Sequence, residues 1–169
     1  MEWNYNDKIL LDSSIYLGDG NTGWTVNAWV RTTSNKTGLG YGPILTNQSG
    51  SPVYSSMCIN SGKITYWVYP SNINNWNSFS GNITVNDGKW HMLTWVNKVG
   101  YTMDMYVDGV LDVTVGPTNA GNNNPVDIIG ASWVGTFNGD ISIVNIYTES
   151  LSKAEILKNL NAQRTRFGV

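Results

Sequence analysis

Carboxylates and aromatic rings are the groups in this 169-residue chain whose types and spacing bear on chemistry. Retaining hydrolysis of a glycosidic bond needs two carboxyl groups about 5–5.5 Å apart. Of the three glutamates, Glu2 is terminal, Glu149 sits in a turn before a helical segment and Glu155 fits a helix cap. Asp104 and Asp108 share a strand face, but Asp108 belongs to an Asp-Gly turn, where an aspartate is expected to cap turn amides. One histidine, His91, and one cysteine, Cys58, leave no credible zinc site. No Gly-x-Ser-x-Gly elbow frames a serine, and no Gly-rich phosphate cradle is present. The sequence therefore names no catalytic residue, and the expectation is a protein that is not an enzyme.

The aromatics point to binding. An exposed ring covers the C–H face of a sugar while neighbouring amides bond its hydroxyls. Trp24, Trp67, Trp90 and Trp95 alternate with apolar neighbours and read as core. Trp76, in Asn72-Ile-Asn-Asn-Trp-Asn-Ser78, and Trp133, in Gly130-Ala-Ser-Trp-Val-Gly135, sit in polar surroundings. They are the candidate glycan platforms, with Asn74, Asn75 and Asn77 as hydroxyl partners; the competing reading folds either ring back over the edge of the fold. Asp19, in Gly18-Asp-Gly-Asn21, and Asp140 are weak calcium candidates, because calcium takes hard oxygen ligands. No EF-hand spacing occurs, and no cofactor is expected to be required.

Composition narrows the classes. A formal net charge of −2 with ten scattered Lys and Arg lacks the basic footprint of a nucleic-acid binder. No apolar run is long enough to enter a membrane. No basic-then-apolar opening suggests a signal peptide, so the expectation is a route other than signal-peptide export or a start downstream of a signal or another domain. A single cysteine excludes an internal disulfide, and Cys58, in an apolar strand, reads as a small buried residue.

The elements that must position these groups are mostly strands. Trp24, Val26, Ala28 and Val30 share one face by period-two alternation. Ile9–Leu11 and Ser14–Leu17 read as a first pair. Pro43–Thr46, Met57–Ile59, Ile64–Tyr69 and Val126–Gly130 follow as strands, and Phe137–Tyr147 as the last long one. Ser61-Gly62 reads as a tight turn, and Pro70 to Ser80 as polar apart from Ile73, Trp76 and Phe79. Asp108-Gly109 is a hairpin signal, because glycine supplies positive φ at no steric cost. Ser152-Lys-Ala-Glu155 is a capping box, with Leu151 and Ile156 spaced as a hydrophobic staple. Ile156, Leu157 and Leu160 extend the apolar stripe of a helix expected on the sandwich edge.

Asp87-Gly-Lys-Trp-His91 followed by Tyr106-Val-Asp-Gly109 resembles the central motif of laminin G-like domains, members of the concanavalin A-like jelly-roll superfamily. Thr25-Val-Asn-Ala-Trp-Val30, Phe137-Asn-Gly-Asp-Ile141 and Ser150-Leu-Ser-Lys-Ala-Glu-Ile156 are similar to other motifs of that family, in the same order, from about Ile15 to Leu160. The resemblance implies an all-β, two-sheet antiparallel jelly-roll sandwich. It implies one domain over residues 1–169 with a short C-terminal α-helix at about 153–162. It makes His91 and Trp29 usual structural positions. Glucanases of the superfamily carry Glu-x-Asp-x-(x)-Glu on one strand, a pattern this chain lacks. The C-terminal Asn159…Arg166-Phe-Gly-Val169 resembles the ends of such domains in phage and aquatic-virus structural proteins. That implies a virion-surface module (capsid decoration, fibre or minor structural protein) binding other virion subunits, a second copy of itself or host glycans. The alternatives are an extracellular carbohydrate-binding domain of a secreted cellular protein and, third, a small glucanase.

Overall fold

A computed structural model describes residues 8–17, 21–37, 41–47, 54–69, 77–118, 124–132 and 135–169. One sheet holds six strands: β1 (Ile9–Leu17), β3 (Gly42–Thr46), β4 (Tyr54–Asn60), β5 (Lys63–Tyr69), β6 (Asn77–Thr84) and β10 (Asn124–Ile129), in the order β1-β10-β3-β4-β5-β6. A second sheet holds β2 (Trp24–Arg31), β7 (Trp90–Asn97), β8 (Met103–Val107), β9 (Val110–Val115) and β13 (Asp140–Tyr147), in the order β13-β2-β7-β8-β9. A short ribbon, β11 (Ala131–Ser132) with β12 (Gly135–Thr136), links β10 to β13. All pairings are antiparallel.

The sandwich forms because the strands alternate. Trp24, Val26, Ala28 and Val30 of β2 turn inward with Leu93 and Trp95 of β7 and meet Ile64, Tyr66 and Val68 of β5 in one buried core. Trp95 also bonds across that core: its Nε1–H donates to the Thr65 carbonyl of the opposite sheet at 3.1 Å. The β4–β5 turn places Ser61 and Gly62 at φ of 53° and 71°, and the β8–β9 turn places Asp108 and Gly109 at 50° and 74°. Both are left-handed pairs that suit two-residue hairpins. Cys58 is buried and its Sγ–H approaches the Thr65 carbonyl, while burial pushes the thiol pKa up, so it is an inert core residue.

The helix α1 (Lys153–Phe167) begins with the expected box: the Ser152 hydroxyl accepts from the Glu155 amide and Glu155 accepts from the Ser152 amide at 2.8 Å. It differs from expectation in two ways. It runs beyond 162 to Phe167, where Gly168 in a left-handed conformation (φ 71°) closes it. It also lies on the outer face of the five-stranded sheet rather than on a sandwich edge. Leu151, Ile156 and Leu160 pack on Trp29, Met92 and Tyr106. Phe167 stacks on Trp29 with ring centroids 4.1 Å apart, and the Trp29 Nε1–H donates to Gln163 Oε1 at 2.6 Å. The C-terminal Arg-Phe-Gly-Val wording thus has a structural use: it stacks, caps and ends the helix.

Other expectations change too. Ile9–Leu17 is one strand, not a pair; it bulges between Leu10 and Ile15, so that residues 11–14 stand outside the ladder with β10. Asn77–Thr84, read as polar chain to Ser80, is an edge strand whose residues alternate between half-buried and exposed. The last strand starts at Asp140, because Phe137 to Gly139 leave the ladder.

Candidate functional site

The carboxylates of Asp104, Asp108, Asp112 and Asp127 are bound into the fold. Asp104, almost fully buried, accepts from Thr114 Oγ1 at 2.7 Å and Tyr106 Oη at 3.3 Å and pairs with the Lys98 ammonium. Burial works to raise its pKa, but the bonds from Lys98 and Thr114 prevail and hold it below the usual carboxylate range. Asp108 does not cap its own turn: its Oδ1 accepts from the Met92 amide across the hairpin at 2.8 Å and its Oδ2 faces His91 Nδ1 at 2.7 Å. Asp112 accepts from the amides of Asn82 and Ile83, and Asp127 from Ser14 Oγ. Four residues of extended chain separate Asp104 from Asp108 by roughly 13 Å, far more than a retaining pair allows. His91 faces carboxylates on both ring nitrogens, so it serves no serine.

What the fold leaves open is one flank. At the β6–β9 flank the two sheets close on each other through Asp112. At the β1–β13 flank they stay apart. A cleft of about 520 Å³ opens there between the Ile9 end of β1 and the start of β13. Its walls are Ile9, Ile129, Phe137, Ile141 and Val144, with Ser142 on its rim. A smaller cleft of about 180 Å³ continues the flank at the other end, lined by Tyr16, Leu17, Trp24, Ile146 and Tyr147. Bulges spread both rims: one in β1 between Leu10 and Ile15, the other in β13 between Ile141 and Val144. Bulges of this kind bend edge strands and re-aim side chains beside sites. The phenyl ring of Phe137 lies over Gly42, where a Cβ would come within 3.2 Å of it, so that glycine lets the wall seat. Lys8, Ser142, Gly130 and Gly139 complete a lining that is about half polar, and the volume lies in the range of small-ligand sites.

The structure places the sequence candidates as follows. Asn77 opens β6 opposite Val68 and is half-buried. Trp76, Asn74, Asn75, Trp133 and Asp19 lie outside the described residues. The strand ends next to the two tryptophans are separated across the six-stranded sheet: Asn77 opens the edge strand β6, whereas Ser132 follows β10, with β3, β4 and β5 between them. Asp140 directs its carboxylate to Arg31 Nε at 3.0 Å. Among the described residues no group of three His, Cys, Asp or Glu side chains is arranged to hold a metal. Sequence reasoning missed the seam residues Ile9, Ile129, Phe137, Ile141 and Val144. The available signal was the surplus of apolar side chains on both parities of Ile9-Leu-Leu11 and Ile15-Tyr-Leu17, more than one buried face needs.

A laminin G-type family model described as the concanavalin A-like lectin/glucanases superfamily matches residues 4–157. The chain belongs to that superfamily. No curated protein is similar enough in sequence to count as a match. Solved structures share the superfamily's fold at low identity. The botulinum neurotoxin serotype D binding domain superposes with a TM-score of 0.69 at 16% identity, covering 95% of this chain and 41% of that one. The binding domain of Paraclostridial Mosquitocidal Protein 1 gives 0.69 at 13%, covering 94% and 42%. The serotype D ligand-binding domain in complex with N-acetylneuraminic acid gives 0.60 at 18%, covering 90% and 38%. The chain thus spans about two fifths of each of these domains, and the likeness is one of fold.

Proposed function

We propose that this superfamily member is a non-catalytic recognition module that binds glycan, with the cleft at the β1–β13 flank as one candidate contact region and the tryptophan-bearing loops as the other. The observation that carries the reading is the asymmetry of the sandwich: one flank is sealed by a carboxylate while the other keeps a 520 Å³ cleft of mixed apolar and polar lining between two bulged strands. The commitment of Asp104, Asp108, Asp112, Asp127 and Asp140 to amides, hydroxyls and cations supports a site that binds rather than hydrolyses. The complex of one fold relative with N-acetylneuraminic acid is in keeping with this. The setting we propose is a virion surface, with other virion subunits or a second copy as protein partners; the support is the wording of the C-terminal motif. The extracellular face of a cell is the alternative setting. Calcium belongs to the proposal only through Asp19, since Asp140 is engaged by Arg31.

The test is a broad glycan array with the whole chain, with calcium and with chelator. Four proteins are compared: the natural sequence, Trp76→Ala, Trp133→Ala and Ser142→Trp, which fills the cleft from its exposed rim. Selective binding lost in Ser142→Trp places the sugar at the seam, and loss in a tryptophan variant places it on the loops. Loss in chelator alone puts calcium in the site. A blank array overturns the glycan reading and leaves a module that recognises protein.

A further inference from the structure

His91 stands where the sandwich rim meets the helix-covered hairpin. Its Nδ1 lies 2.7 Å from Asp108 Oδ2 and its Nε2 lies 3.1 Å from Asp87 Oδ1. A carboxylate only accepts hydrogen bonds, and a neutral imidazole carries one N–H. Only the imidazolium, with two N–H groups, satisfies both contacts. Losing the ring proton must therefore break one of the two bonds and set a lone pair against a carboxylate.

The two partners are not held equally. Asp108 is fixed twice to the strand beside it: its Oδ1 accepts from the Met92 amide, and its own amide donates to the Met92 carbonyl at 2.9 Å. Its neighbour Gly109 packs so closely under α1 that a Cβ would come within 2.6 Å of Leu157. Asp87 sits on the exposed loop before β7. Its other contacts are the Lys89 amide at 2.9 Å and the Lys89 ammonium at 3.6 Å, within the same loop. The Asp87 bond is the one that yields.

We propose that His91 is a proton-operated latch: as imidazolium it ties the Asp87–Lys89 loop to the Asp108 turn, and on deprotonation it keeps Asp108 and lets the loop go. The charged groups around it support this direction. The hydrogen bond with Asp108 raises the pKa of His91 above its ordinary value; burial opposes, and the charges of Asp108 and Asp87 add to the rise. The adjacent strand β2 brings Arg31, which is held by Asp140 and lies over the Trp90 ring. The helix brings the apolar Leu157 to the turn. A raised folded-state value means that the latch is fully shut below the unfolded value of about 6.5 and opens as pH rises through the folded value.

The latch has a mechanical reach. The Gly88 amide donates to the Thr32 carbonyl at 3.0 Å, and the Thr32 hydroxyl donates to the Asn138 carbonyl at 2.5 Å. Asn138 lies between Phe137 and Gly139, both of which line the 520 Å³ cleft. A loosened loop therefore slackens a strap behind the cleft wall, whatever ligand the cleft takes.

His91 is the only histidine, so its ring signals in ¹H–¹⁵N correlation spectra need no assignment by mutation. The spectra are followed from pH 5 to 9 together with hydrogen exchange at Gly88, Lys89, Met92 and Asp108, corrected for the intrinsic pH dependence of exchange. The expected result is a doubly protonated ring at pH 6 and a midpoint above about 6.5. Above that midpoint, exchange accelerates at Gly88 and Lys89 and stays constant at Met92 and Asp108. In Asp87→Asn the side-chain amide can donate to a neutral Nε2, so the midpoint falls and the loop stays protected at high pH. A ring that is singly protonated at pH 6, a midpoint at or below 6.5, or loop exchange that ignores the midpoint overturns the proposal.

Discussion

The two flanks of the sandwich solve the same problem in opposite ways. Each brings an edge strand of one sheet against an edge strand of the other, and each must decide what faces the gap. At the β6–β9 flank both Asp112 carboxylate oxygens accept from the backbone amides of Asn82 and Ile83, at 2.9 to 3.2 Å. One side chain thereby replaces a missing strand for the exposed amides of an edge. Gly81 beside it has no room for a side chain, because a Cβ would lie 1.9 Å from Asp112 Oδ2. At the β1–β13 flank no such clasp is found among the described residues. Phe79, Ile83, Val113 and Val115 at the sealed flank are half-buried, as Ile129, Phe137, Ile141 and Val144 are at the open one, but among the described residues only at the open one do bulges lie beside a cleft of about 520 Å³. The sealed flank spends its polar groups on the fold. The open flank leaves a concave surface of apolar and polar groups, as a small-ligand site requires.

This contrast predicts a gradient of mutational cost across the molecule. The largest effect belongs to the middle of the core, where both flanks depend on the same side chain. Trp95 is fully buried and bonds to the opposite sheet. Trp95→Ala is expected to cost about 3–5 kcal/mol in urea denaturation. Phe137→Ala, at the half-covered wall of the cleft, is expected to cost about 1 kcal/mol. Equal losses for the two would show that the open flank is as much a part of the core as Trp95, and the contrast would fail.

The clasp itself comes next. Asp112→Ala leaves the Asn82 and Ile83 amides without their acceptor, which costs about 1–3 kcal/mol. Gly81→Ala must push the same carboxylate aside and crowd Ile64, with a loss of similar size, about 1–3 kcal/mol. Because one change clears the space the other needs, the double variant should lose less than the sum of the two. Strict additivity in the melts would mean that Asp112 does not hold the flank.

The same contrast explains which parts of the structure were legible in the sequence. The two turns Ser61-Gly62 and Asp108-Gly109, the alternation of Trp24 to Val30 and the Ser152–Glu155 box are local signals, and each formed the element its residues announced. The strand β6 was obscured because its Asn, Ser and Gly residues carry little strand propensity; it is held by Asp112, thirty positions away in sequence. The helix face was misplaced for a similar reason. Trp29 looks outward by period, and only the distant Gln163 and Phe167 show that it is covered. The cleft is the least legible feature, since it arises from two bulges and the ordering of edges, neither of which has a sequence period. His91 was visible as a motif residue, but its second carboxylate partner, Asp108, comes from the neighbouring hairpin.

The smallest expected effect on stability falls on the strand that opens the cleft. Ile9 is 60% exposed and lines the cleft, and Leu10 and Tyr16 on the same strand are 51% and 61% exposed. An unprotected apolar edge of this kind invites pairing with another chain. Here the bulge between Leu10 and Ile15 breaks the straight run of amides, and Asp12 lies within it, so the edge is guarded in its middle and apolar at its ends. Ile9→Ser removes one exposed side chain and should change unfolding free energy by no more than about 0.5 kcal/mol. It should nevertheless weaken any ligand seated in the cleft, measured by titration calorimetry with a glycan drawn from the array. Stability and binding then come apart at one residue, as they cannot at Asp112, where the side chain serves only the fold. If Ile9→Ser destabilised the protein as much as Asp112→Ala does, the open flank would be a seam that closes in solution, and its apolar wall would belong to the core.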